Sequence, residues 1–164
     1  MNMIKIAENK GLRQTYEDMK GELMANKCYT LLSISGHPDT LADFCFATIS
    51  PVSHDPATFE SFCFSFAALV PLQSGETPYD AWGCRNDVID HITLHEMGWH
   101  PGCSTVTFLV ETNNAPPIYW FYKVVAMYPS LEFDFSASMF MLDSYYYAHG
   151  SEGKITAEKM EQPS

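Results

Sequence analysis

The chain predicts an α+β domain of the split βαβ, ferredoxin-like kind. That means a four-stranded antiparallel sheet with helices on one face, an extra N-terminal helix and a helical insert between strands two and three. Three observations carry it. Helical and strand periodicities alternate in the order strand, helix, strand, insert, strand, helix, strand. The stretch Thr112 to Phe135, TNNAPPIYWFYKVVAMYPSLEFDF, reads as one complete strand–helix–strand junction. The 164 residues are 46% hydrophobic and 14% aromatic, enough for one sizeable core.

Taken in order, residues 8–26 predict a helix. Leu12, Tyr16, Met19 and Leu23 fall at four-three-four spacing, with charges between them. Such a seam docks on its own domain or pairs with another helix, and docking is expected. Cys28 to Ile34, CYTLLSI, is the first strand, ended by Ser35-Gly36. Asp39 to Thr48 is a helix with Leu41, Phe44 and Cys45 inward, and residues 51–58 are a loop. Phe62, Phe64 and Phe66 alternate with Cys63 and Ser65 and predict the second strand. A loop from Pro71 to Pro78 leads to an insert helix over Tyr79 to Glu96, with Val88, Ile89 and Ile92 inward, broken at Gly98 to Gly102.

Thr105 to Glu111, TVTFLVE, is the third strand. Asn113 or Asn114 can cap the next helix, whose first turn holds Pro116 and Pro117, where a missing N–H costs nothing. Ile118, Phe121, Val125 and Tyr128 form its apolar face, and Pro129 stops it. Leu131, Phe133 and Phe135 then alternate with Glu132, Asp134 and Ser136 in the fourth strand. The expected organisation is a helical extension over 1–27, the domain over 28–150 with its insert at about 76–102, and a polar, frayed tail over 151–164. MFMLDSYYYAHG is expected to add an edge strand or a loop over the sheet.

Charge excludes whole classes of partner. The net charge is −11, and from Cys28 to Tyr122 Arg85 is the only cation against ten Asp and Glu. Gripping a phosphate backbone takes clustered cations, so direct nucleic-acid binding and anionic membranes are not expected. The five cysteines, Cys28, Cys45, Cys63, Cys84 and Cys103, are odd in number and form no CxxC. With no charged-then-apolar leader, reduced thiols in a cytoplasm are the expectation. No run reaches the ~20 apolar residues a membrane span needs.

The pieces LLSISGHPDTLADF, FSFAALVPL, YDAWGCRND, MGWHPGCSTVTFLVETNNAPPI and AMYPSLEFDF stand in that order over residues 31 to 135. In that order they resemble the YubB-type ferredoxin-like domain of phage and conjugative-plasmid proteins of unknown function. The chain departs from the pattern at the Gly-Trp turn, where His100 and Pro101 replace small polar or basic residues. The resemblance implies a mobile-element origin and action in the cytoplasm of a bacterial host. It implies no established activity and supplies no catalytic residues.

Chemistry-bearing residues concentrate in the insert. On a continuous helix Asp87, His91 and His95 are i, i+4 neighbours on one face, with Cys84 three residues earlier. Cys84, Asp87, His91 and His95 are therefore the candidate zinc ligands. The competing reading is two histidines on the solvated flank of a core helix. His95-Glu96-Met97-Gly98-Trp99-His100 is one residue too long for a zincin helix. Cys103 with His100 or His95 lacks the spacing of a catalytic pair, and core cysteines are the simpler account. Trp82, Trp99 and Trp120, with Tyr145, Tyr146 and Tyr147, can stack on bases or sugars, but the third strand lacks the basic pattern of an RNA-binding sheet. No phosphate loop, serine elbow or calcium loop occurs.

The expectation is a non-enzymatic, acidic accessory protein that binds, and inhibits, a basic host protein of the DNA-binding or defence kind. No cofactor is expected in this reading. Its contact residues would be Asp80, Trp82, Asp87, Asp90, Glu96 and Trp99. The alternative is a zinc-binding domain or zinc-dependent hydrolase built on the insert ligands.

Overall fold

The structure, a computed structural model, describes residues 27–48, 64–88, 99–139 and 142–162. The expected helix over 8–26 and the loop over 51–58 lie outside them. Alternation of Cys28, Thr30, Leu32 and Ile34 buries one face of β1, Lys27–Ser35. His37 then caps α1, Pro38–Ala47, its ring Nδ1 accepting the Asp39 N–H at 3.2 Å. Leu41, Phe44 and Cys45 are buried, as their spacing predicts. Phe44 meets Phe108 and Phe133 edge-on across the sheet, at ring separations of 6.1 and 6.0 Å.

Two expected elements are corrected. The second strand, Phe62 to Phe66, does not form over its described part. Phe64 makes one isolated bridge, and the chain turns into a single-turn helix, α2, Phe66–Leu69. Asp87 is the cause. Its carboxylate accepts Ser65 Oγ at 2.7 Å and the N–H groups of Phe66 and Ala67 at 2.7 and 3.1 Å. Three donors converging on one carboxylate fix a helix start rather than a ladder. Phe64 and Phe66 are both buried, so the alternation was real and its cause was a turn.

The insert helix, expected over Tyr79 to Glu96, ends at Trp82. A capping box between Thr77 and Asp80 opens α3, Pro78–Trp82. Gly83, left-handed at φ 86°, closes it. A Cβ at Gly83 would lie 3.2 Å from the Tyr119 nitrogen, so the stop is also a close packing point. Residues 83–88 follow without regular structure.

The remaining predicted strands and helix form β2, Thr105–Asn113, α4, Ile118–Met127, and β3, Glu132–Met139. Neither asparagine caps α4. Its N-cap is Pro117, with no side-chain cap bond, while Thr112 Oγ1 donates to the Ala115 carbonyl at 2.6 Å ahead of it.

The segment expected as an edge strand or a loop forms a strand, β4, Ser144–Ser151, inside the sheet rather than at its edge, and the tail expected to fray is corrected: Lys154–Glu161 is β5. Glu152 and Gly153, at φ 53° and 75°, make the two-residue turn between them, a backbone pattern that matches strand twist. The sheet therefore has five strands rather than four, all antiparallel, in the order β2-β1-β3-β4-β5. Helices α1 and α4 cover one face. Glu158 of β5 fastens α4 to the sheet, accepting the hydroxyls of Tyr122 and of Tyr146, the latter at 2.7 Å. Burial, then this shared carboxylate, raises the pKa of both phenols.

Candidate functional site

The odd-numbered residues of β1 and β2, the even-numbered ones of β3 and the odd-numbered ones of β4 point away from the helices. Register aligns them into rows across the sheet. Leu109, Leu31, Ser136, Tyr147 and Lys159 form one row. Thr107, Ser33, Asp134, His149 and Ala157 form the next. Glu111, Tyr29, Ser138, Tyr145 and Glu161 lie on the other side of the first.

This face is mixed in chemistry. Leu31 and Leu109 are 48% and 44% exposed and stand directly opposite each other. Single exposed leucines are ordinary, but a cross-strand pair is a patch. Ser33 and Thr107 share a hydrogen bond at 3.0 Å in the next row. His149 Nδ1 and Asp134 Oδ1 lie 2.7 Å apart, with Asp134 75% exposed. Lys159 holds Glu161 at 2.6 Å and lies over the Tyr147 ring at 5.6 Å from its centroid. A shallow cleft of about 350 Å³ opens here, lined by Asp134, Ser136, Tyr147, His149, Ala157 and Lys159 among others. At the far end Lys27 pairs with Glu111 at 2.6 Å.

What the face can do is bind. Tyrosine supplies rigid amphipathic area, the leucines supply apolar area, and Glu132 and Asp134 add exposed acids on the middle strand β3. His149 has one ring nitrogen tied to a carboxylate, which orients it. Among the described residues no nucleophile is hydrogen-bonded to its ring, and the Thr156 hydroxyl donates only to its backbone carbonyl.

The predicted site residues scatter. Cys84 and Asp87 are near one another but already engaged. Cys84 is buried and donates its thiol to the Asn86 carbonyl at 3.3 Å. Both Asp87 oxygens accept hydrogen bonds from residues 65–67, and one also accepts the Val88 N–H at 2.8 Å. A cation here would have to break those bonds. His91, His95, Asp90 and Glu96 lie outside the described residues. Among the described residues no group of three or more His, Cys, Asp and Glu is placed to hold a metal ion. Trp82 and Trp99 are core rather than surface, 4% and 2% exposed. The Trp82 Nε1 donates to the Val70 carbonyl at 2.8 Å. Asp80 is exposed, and its carboxylate accepts the Thr77 N–H and hydroxyl. Sequence reasoning missed Leu31 and Leu109. Their signal was present: TLLSI and TFLVE carry aliphatics at both parities, so each strand had one apolar residue too many for a single buried face.

Cys28, Cys45 and Cys84 are unlike redox or nucleophilic thiols. Burial pushes Cys28 up to about 12, against weaker hydrogen bonds from Thr30 and Thr112. Burial, with Cys103 adding to it, pushes Cys45 up to about 12. Burial raises Cys84 further, with Cys28 and Asp87 reinforcing it. An unfolded thiol ionises near 9. The fold therefore holds these protons more tightly than the unfolded chain does. That stabilisation is complete below about pH 9 and is lost as pH rises toward about 12. Thermal melts should show a midpoint that falls steadily from about pH 9 upward. A midpoint flat to about pH 11 would contradict the burial of these thiols.

Among the described residues no helix is long and apolar enough to cross a membrane. No family model, no curated protein and no solved structure gives a match to this chain.

Proposed function

We propose that the chain is a non-enzymatic binding protein whose sheet face opposite α1 and α4 docks a basic protein. The observation that carries this is the face itself: an exposed Leu31–Leu109 pair at the β2 edge, with Glu132 and Asp134 on the neighbouring strand β3 and Tyr147 one strand further, on a chain of net charge −11. Long-range attraction of a cationic partner follows from the charge, and the leucine patch supplies the desolvated centre such an interface needs. Arg- or Lys-rich partners of the DNA-binding or defence kind fit that chemistry. The resemblance drawn from the sequence adds a phage or plasmid origin, action in a bacterial cytoplasm and inhibition by occupancy. The order of β2, β1 and β3 supports a ferredoxin-like core, since a split βαβ sheet places the third and fourth predicted strands on either side of the first.

The test is capture from a bacterial lysate with the wild-type chain and with a Leu31→Asp/Leu109→Asp variant. A partner retained by the wild type, lost on the variant and weakened by salt supports the reading. Equal capture by both proteins would place the contact elsewhere.

A further inference from the structure

The cleft on β3, β4 and β5 owes its shape to alternating bulk. Tyr147 and His149 project from the same face of β4, two residues apart. Along a strand that spacing is about 6.8 Å. It is the room a flat group needs to lie between two side chains, at about 3.5 Å from each. The flanking positions are small: Ser136 on β3 stands opposite Tyr147, and Ala157 on β5 stands opposite His149. Small residues on both sides leave the gap between the two rings unfilled, and the cleft of about 350 Å³ is the result.

Its polar groups are sorted by charge. Asp134 Oδ1 accepts the His149 Nδ1–H at 2.7 Å, which fixes the imidazole against one wall. Among the described residues Oδ2 of Asp134 has no partner, and the side chain is 75% exposed. A carboxylate oxygen is therefore left for an incoming donor. At the diagonal corner Lys159 lies 5.6 Å from the centroid of the Tyr147 ring. That ring already attracts a cation. Glu161 holds Lys159 at 2.6 Å, so the one lysine of the cleft is balanced by its own acid. With His149 neutral, Asp134 carries the unbalanced charge.

We propose that this cleft is an arginine slot. A guanidinium enters between Tyr147 and His149, donates to Asp134 Oδ2 and Ser136 Oγ, and lays its alkyl stem on Ala157. The inference rests on the docking of a basic protein proposed above, and it names the side chain that this part of the face reads. Arginine fits where lysine does not. Its guanidinium is flat, stacks on rings, is weakly hydrated and presents several donors at fixed angles, whereas an ammonium is compact and strongly hydrated. A nucleobase is flat too, but it brings phosphate toward a chain of net charge −11.

The experiment titrates the full chain with acetylated, amidated tri-arginine and tri-lysine peptides, followed by calorimetry. The two peptides have equal charge, so the acidic surface alone cannot tell them apart. The expected result is tri-arginine bound at least about fivefold more tightly than tri-lysine. Tyr147→Leu should weaken tri-arginine by about fivefold and abolish the difference. Asp134→Asn, on an exposed side chain, gives the same readout if Tyr147→Leu disturbs folding. Equal affinity for the two peptides overturns the proposal. A preference for arginine that survives both substitutions also overturns it and places the contact elsewhere. The outcome is separable from lysate capture. A partner captured through Leu31 and Leu109 without discrimination between the peptides keeps the docking face and removes the slot. Discrimination that both substitutions abolish, without any captured partner, keeps the slot and removes the docking of a basic protein.

Discussion

Phe121→Ala is expected to remove about 3–5 kcal/mol of folding stability, the cost of emptying a large aromatic site in a packed core. Phe121 is fully buried. Its ring lies 4.6 Å from that of Phe135 and 6.2 Å from that of Phe133, centroid to centroid. It is thus the main wedge between α4 and β3. The flanks cannot collapse to fill the gap, because Trp120 is tied by its Nε1 to the Phe66 carbonyl and Val124 and Val125 are already buried. Denaturant melts measure the effect. A loss under about 1 kcal/mol would mean that another face of α4 meets the sheet.

Asp87→Ala should cost about 2–3 kcal/mol, although residue 87 lies in an irregular segment. The variant strips the partner from Ser65 Oγ and from the N–H groups of Phe66, Ala67 and Val88. The part-buried donors on Ser65, Phe66 and Val88 lose their acceptor and carry part of a desolvation penalty, while the exposed Ala67 N–H turns to water. Asp87→Asn should recover part of the loss, because one side-chain oxygen still accepts. The contrast with a metal role is direct. If Asp87 served a cation, chelation would weaken the wild type as the substitution does; if it is a helix cap, chelator leaves the melt unchanged.

The two results bear on what the sequence could disclose. β1, β2, α4 and β3 were legible because each buries one face at its own period. The Phe64–Phe66 alternation was legible as burial but not as conformation, since an extended pair entering a helical turn buries the same two rings. The insert helix failed at Gly83, where the local signal for a stop was present but the later Val88 and Ile92 spacing outweighed it. β5 was hidden by its position at an edge. Among its residues only Met160 is buried, so solvent shapes nearly its whole composition. The face itself was half legible. Its β3 contribution, Glu132, Asp134 and Ser136, came from the alternation. The leucines did not, because a run apolar at both parities reads as a strand buried on both sides.

The position of β1 has a consequence for biosynthesis. Ser33 pairs with Thr107 and Asp134, so β1 leaves the ribosome long before either of its two sheet neighbours exists. At roughly 5–20 residues per second, the stretch from Ser35 to Thr105 takes about 4–14 s to appear. During that interval KCYTLLSIS is a β-prone, uncharged-at-centre segment with both edges open. The nascent chain should therefore recruit holding chaperones early, and release from them should await β2 and β3 rather than any event near the N-terminus.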